Sequence, residues 1–215
     1  MKKAILLIPV LLCFTLKAQE APRPFELGAT LVTVNSLNHN RSPYAKSSVQ
    51  FVNGLFFRYN FKRVSLRATA SYSEYDYAYD DPPSFADGGG IKSHNKNFDL
   101  GAGAQISLLK KKDILYAFSD IIYRNIFSTG ATYGGIGGGY YNFAQTSNGV
   151  GGILGLGCTI PVCKSIVLSP EICYRILADF VQGSAAPLYN GNANKYMYSQ
   201  SDDMIMARLH LTVRF

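Results

Sequence analysis

Residues 97–109 read NFDLGAGAQISLL, and the alternation is unbroken. Phe98, Leu100, Ala102, Ala104, Ile106 and Leu108 fall on one face, while Asp99, Gly101, Gly103, Gln105 and Ser107 fall on the other. A period of two is the mark of an extended strand with one apolar and one polar side. The same pattern recurs to the last residue. In 25–34, Phe25, Leu27, Ala29 and Leu31 oppose Glu26, Gly28 and Thr30; in 47–60, Val49, Phe51, Leu55, Phe57 and Tyr59 oppose Ser48, Gln50, Gly54 and Arg58. In 64–79, Val64, Leu66, Ala68, Ala70 and Tyr72 oppose Ser65, Arg67, Thr69, Ser71 and Ser73. In 149–160, Val150, Leu154, Leu156, Cys158 and Ile160 oppose a row of glycines ending in Thr159. In 203–215, Ile205, Ala207, Leu209, Leu211, Val213 and Phe215 oppose Met206, Arg208, His210, Thr212 and Arg214.

Two segments strain the pattern. In 114–128, Ile114, Phe118 and Ile122 share a face with Asp120 and Arg124, which calls for a bulge or a shifted phase. In 166–181, Leu168, Ile172, Tyr174, Ile176 and Phe180 oppose Ser169, Glu171, Cys173, Arg175 and Asp179, but Pro170 has no N–H for a ladder, so a bulge is expected there.

The connections sort by length. Residues 60–63, 110–113 and 161–165 are tight, whereas 35–46, 80–96, 129–148 and 182–202 are long polar stretches rich in Asn, Ser, Gly, Tyr and Asp. Short turns on one side, long loops on the other and both termini on the short side are the wiring of an up-and-down barrel in an outer membrane. A soluble sandwich has no reason to sort its loops in this way.

The chain opens with Lys2, Lys3 and the apolar run AILLIPVLLCFTL, then KA, which reads as an export leader over residues 1–18 cut after Ala18, leaving a single barrel domain over 19–215. The run is too short to span a bilayer as a helix, and no later stretch reaches the roughly 18 to 20 apolar residues that spanning needs. Lys2, Lys3 and Lys17 leave with the leader, taking the formal charge from +7 to +4, too mild to argue for nucleic acid. Cys158, Cys163 and Cys173 remain, an odd number in an exported chain, so cysteines are not its scaffold.

In hydrocarbon every backbone amide needs a partner within the protein, so a β-protein spans only as a closed barrel. Charges then decide which side is which. Arg58, Arg67, Arg124, Arg175, Arg208 and Arg214, with Glu26, Asp99, Asp120 and Glu171, lie on the polar faces. A charge at mid-bilayer costs on the order of 2 to 4 kcal/mol, so these ten must point inward, as a salt-bridged plug rather than a lined pore. Tyr59 and Phe61 by a short turn, and Tyr72, Tyr75, Tyr77 and Tyr79 toward a long loop, suit two interfacial girdles.

The last strand, IMARLHLTVRF, ends in Phe215 and resembles the C-terminal signal by which outer-membrane barrels are recognised for assembly. With the leader and the phased segments, the whole chain resembles the small outer-membrane barrel superfamily of OmpA-like and OmpX-like barrels, and more narrowly the PorT-like outer-membrane β-barrel domain proteins. The resemblance implies an all-β transmembrane barrel of about eight strands, integral to the outer membrane of a Gram-negative bacterium; the residues leave open that 72–79 and 196–204 extend past the membrane, or that the long loops add a hairpin and make ten strands. It implies membrane lipid and the barrel-assembly machinery as partners, with further envelope proteins for a PorT-like secretion accessory.

Chemistry is sparse. His39, His94 and His210 lack metal-ligand spacing. His210 and Thr212 share a face, but no third group orients the histidine, so no catalytic residue is assigned. YGGIGGGYYNF at 133–143 has no Lys-Ser or Lys-Thr ending and no helix to open, so its glycines read as a surface loop rather than a phosphate cradle. No cofactor is expected. The expected role is non-enzymatic, in envelope integrity or surface interaction through four long loops, where Tyr189, Tyr196 and Tyr198 supply contact area. Its rivals are a secretion accessory, a narrow channel for small solutes, and a soluble lipocalin-like barrel with the faces reversed.

Overall fold

A computed structural model describes residues 24–35, 48–61, 63–80, 89–109, 114–134, 139–187 and 192–215. The leader, His39 and Tyr189 lie outside them, as do residues 36–46 of the first long loop. The strands are β1 (Phe25–Asn35), β2 (Ser48–Phe61), β3 (Val64–Asp80), β4 (Gly90–Ser107), β5 (Leu115–Tyr133), β6 (Tyr140–Cys158), β7 (Ile160–Pro161), β8 (Ile166–Pro187) and β9 (Asn194–Arg214). All pairings are antiparallel between neighbours, β6 pairs with β8, and β1 pairs with β9, so the sheet closes into an up-and-down barrel. The closing seam runs to the end of the chain, where the Phe215 N–H donates to the Phe25 carbonyl at 2.8 Å.

The barrel has eight crossings, because β7 continues β6. Gly157 faces Glu171 and Ile160 faces Leu168 in one unshifted register, with the interruption opposite Pro170. The expected bulge at Pro170 is therefore absent. Its missing N–H breaks the ladder to β6 instead, and Thr159 turns its own N–H to the Ile114 carbonyl at 2.7 Å. The fifth segment also needs no bulge, since β5 runs in register against both neighbours. Its phase is regular: Tyr116, Phe118, Asp120, Ile122 and Arg124 all face in and are buried.

The true irregularity is at Thr30/Val32, which neither segment reading anticipated. There two residues of β1 are opposed by three of β2 and by one of β9. The shift turns Thr33 into the lumen, where it is 5% exposed. On β2 it is absorbed by Val52 at φ 47°, a left-handed conformation that a β-branched side chain resists. Val52→Gly is expected to stabilise the barrel by about 1 kcal/mol, read as a higher urea midpoint at unchanged slope.

Most of the stretches taken for long loops are strand. β3 and β4 remain paired to Asp80↔Gly90, β5 and β6 to Tyr133↔Tyr140, and β8 and β9 to Ala185↔Asn194. Apolar alternation fades there, while the backbone ladder continues.

The outer wall carries an apolar band. On three strands it spans nine residues, both ends included, from its lower edge to an outward tyrosine: Val64 to Tyr72, Leu115 to Tyr123, Ile166 to Tyr174. Each tyrosine hydroxyl donates to a polar group just above the band, Tyr72 to Glu74 (3.3 Å), Tyr123 to Asn148 (2.9 Å) and Tyr174 to Asp203 (2.9 Å). The lower edge holds an aromatic group in which Tyr59 packs on Phe25 at 4.6 Å and on Phe61 at 4.2 Å between ring centroids. The girdle assignment needs one correction. By strand alternation Tyr75 and Tyr77 turn inward, two residues apart on the face opposite Tyr72, and Tyr75 lies near the charges of Arg124 and Asp202; the Tyr79 side chain lies outside the described residues.

Above the band, His94 lies between two carboxylates, with Nε2 2.7 Å from Glu74 and Nδ1 2.8 Å from Asp76. Hydrogen bonds to Asp76 and then Glu74 hold its imidazolium above the ordinary 6.5. The clamp's contribution to the β3–β4 hairpin is therefore complete below 6.5 and fades as pH climbs through the raised value. An NMR titration is expected to give a midpoint above 6.5 that returns toward it in Asp76→Asn with Glu74→Gln; an unshifted wild-type midpoint counts against the clamp.

Candidate functional site

The lumen is the chemically distinctive region, and side chains fill it in three tiers. Near the short turns, Glu26 on β1 accepts from Arg58, from Arg214 at 2.8 and 3.0 Å, from Asn60 at 3.1 Å and from Thr212 at 3.2 Å. Gly28, the next inward residue, permits close strand approach, since a Cβ there would collide with the Leu211 carbonyl.

The middle tier centres on Glu171. Arg67 donates to both its oxygens (2.7 and 3.0 Å), and Arg208 (2.9 Å) and Tyr116 (2.9 Å) donate as well. Arg67 and Arg208 also reach Asp120, at 3.0 and 3.7 Å. Aromatic rings line these cations: Arg67 lies 3.9 Å from the Phe118 centroid and 5.2 Å from that of Phe56, and Phe56 stacks on His210 at 4.3 Å. In the upper tier Asp202 accepts from Arg124 (3.0 Å) and Arg175 (3.2 Å), and Arg124 also donates to Asp99 at 3.0 Å.

All ten residues chosen from the sequence face the lumen and are joined by ion pairs in one tier or another. Asp202 and Asp179 complete the set, both facing in and almost wholly buried. Asp202 escaped notice because it sits in a stretch taken for loop; Asp179 was on the polar face but was given no role. With them, six carboxylates face six arginines among the described residues. Phe118, which shares the face of Asp120 and Arg124 in the sequence, lines the lumen together with Phe56 and Tyr116, to which the sequence assigned no place; arginine faces and narrow space favour flat rings there.

His210 does have an orienting group, contrary to the sequence reading. Its Nε2 lies 3.1 Å from Glu171 and its Nδ1 3.1 Å from the Thr30 hydroxyl. Hydroxyl, imidazole and carboxylate thus stand in a chain, but His210 is 0% exposed and Glu171 is shared with two arginines. The Thr30 hydroxyl is itself 5% exposed, and the three groups tie β1, β8 and β9 together across the lumen. Among the described residues three cysteines are free, Cys173 buried in the lumen, Cys158 half-buried and Cys163 exposed.

No family profile matches the sequence, and no curated protein matches it. Among solved structures, the chain is similar to the outer membrane protein OprG from Pseudomonas aeruginosa, at 12% identity over 89% of this chain and 95% of that one, with a TM-score of 0.50. At that identity the likeness concerns the fold, and it agrees with the closed up-and-down barrel seen here.

Proposed function

We propose that this chain is an integral outer-membrane protein of a Gram-negative envelope, non-enzymatic, with a sealed lumen and with hairpins that stand above the lipid as its interaction surface. The observation that carries the reading is the nine-residue apolar band capped by tyrosine hydroxyls, since a tilted spanning strand needs about 9 to 11 residues. Outward side chains within it include Ile121 and Leu154, 71% and 64% exposed, which water would penalise and lipid would not. Fold similarity to a protein described as an outer membrane protein supports the same address. Within this reading, residues 1–18 are the export leader, and the strand ending in Phe215 is what the barrel-assembly machinery recognises.

The three-tiered ion network favours a structural barrel over a channel, because an eight-stranded barrel has room only for its own side chains. The test is refolding into lipid vesicles with gel migration before and after boiling, followed by conductance in a planar bilayer. A heat-modifiable band and a silent bilayer are expected. A compact monomer stable in buffer without detergent would overturn the reading, and steady conductance would restore the channel.

A PorT-like secretion accessory is the second reading, favoured by hairpins that stay paired far beyond the band, to Tyr133↔Tyr140 and Ala185↔Asn194. Cross-linking in intact cells separates the two. An accessory brings down large envelope proteins, and an independent barrel does not.

A further inference from the structure

The outer wall above the band is hollowed across β5, β6, β8 and β9. One register row runs Lys96, Phe127, Thr146, Gln182 and Met197 across β4, β5, β6, β8 and β9. The next row up ends in the pair Ser184↔Lys195. Between Phe127 and Met197 lies an open groove of about 540 Å³ with Thr146, Ala144 and Ser184 on its floor. Its floor is short because these side chains are small, and its walls are tall because Met197 is 79% exposed and Phe127 45%.

Charge is distributed unevenly around it. Lys195 lines one end, and Lys96 stands beside Phe127 at the other, roughly 19 Å away at the usual strand spacing. No carboxylate lines the groove. The outward acids Glu74, Asp76 and Asp203 lie outside it, held by His94 and Tyr174. Below, Phe180, 60% exposed and two residues before Gln182 on β8, connects the groove to the apolar band.

We propose that this groove holds the phosphorylated sugar head of an outer-leaflet glycolipid, whose acyl chains lie on the band beneath. Hydroxyl and amide groups on the floor match sugar hydroxyls, and the Phe127 and Met197 walls match the apolar faces of sugar rings. A lysine at each end matches separated phosphates. A protein partner is less suited, because two apolar side chains fall well short of the area a stable interface buries. The inference rests on the outer-membrane reading above.

The test refolds the full chain into phosphatidylcholine vesicles containing either bisphosphorylated lipid A or its dephosphorylated form, and counts lipid retained per barrel by native mass spectrometry. Wild type is expected to retain the phosphorylated form preferentially. Lys96→Gln with Lys195→Gln is expected to reduce that preference by about thirty-fold, at a contribution typical of two lysines near an anionic surface. Both changes are on the exposed wall, and heat-modifiable migration reports that the variant is folded. Ser184→Trp, which fills the floor, is expected to abolish retention with both lysines intact. Equal retention of the two lipids by wild type, or an unchanged preference in the double variant, would overturn the glycolipid site. Equal capture of the water-soluble phosphorylated disaccharide would overturn lipid as its source. Failure to enter neutral vesicles at all would sink the membrane reading instead, so the two failures are distinguishable.

Discussion

Replacing Glu171 with glutamine is expected to destabilise the folded barrel by about 3 to 5 kcal/mol, the usual cost of breaking a buried ion pair by removing one member. The size follows from how many groups depend on this carboxylate. Arg67, Arg208, Tyr116 and His210 all bond to it, and it is 4% exposed. Glutamine keeps the volume but removes the charge, and its NH₂ faces donors that need an acceptor. Asp120 remains for the two arginines, at 3.0 and 3.7 Å, yet it cannot supply the second oxygen that makes the Arg67 contact bidentate. Urea unfolding in vesicles, followed by loss of the fast-migrating unboiled band, measures the effect. A change below about 1 kcal/mol, the scale of an exposed pair, would mean that water penetrates the lumen.

Ala102→Arg separates a barrel whose apolar outer wall meets lipid from a barrel of the same orientation standing in water. Ala102 is the midpoint of the outward run Phe98 to Ile106 and is exposed. In lipid, an arginine there costs about 2 to 4 kcal/mol, so refolding yield in vesicles and assembly in cells should fall steeply. In a soluble barrel the same exposed substitution would sit in water and change stability by no more than about 0.5 kcal/mol. Lys96→Glu, two residues above Phe98 on the same face, is the matched control and is expected to fold normally. Equal tolerance of both changes would remove the lipid contact.

Much of the architecture was legible in advance because period-two alternation reports directly on the two sides of a wall. The inward orientation of the ten charged residues follows from that period. The readings that failed share one cause. Hydrophobicity reports the surroundings of a strand, not the ladder within it, so paired segments without apolar alternation read as loops and Asp202 is lost with them. Phe118 and Ile122 looked misplaced because a lumen was assumed to be polar, whereas flat rings are what fit between arginine side chains. Pro170 was expected to insert a residue, but a missing donor is equally accommodated by a gap opposite it.

The sequence by itself determined the class of wall: strands with one apolar face and one charged face, in eight crossings of an up-and-down barrel. Those follow from local periodicity, which each segment carries alone. Tertiary structure decided which arginine meets which carboxylate, where β1 and β2 slip at Thr30/Val32, and that a groove opens beside Lys195. Such pairings join residues more than a hundred positions apart, as Arg67 joins Glu171, and only the register of the closed ring sets their distance.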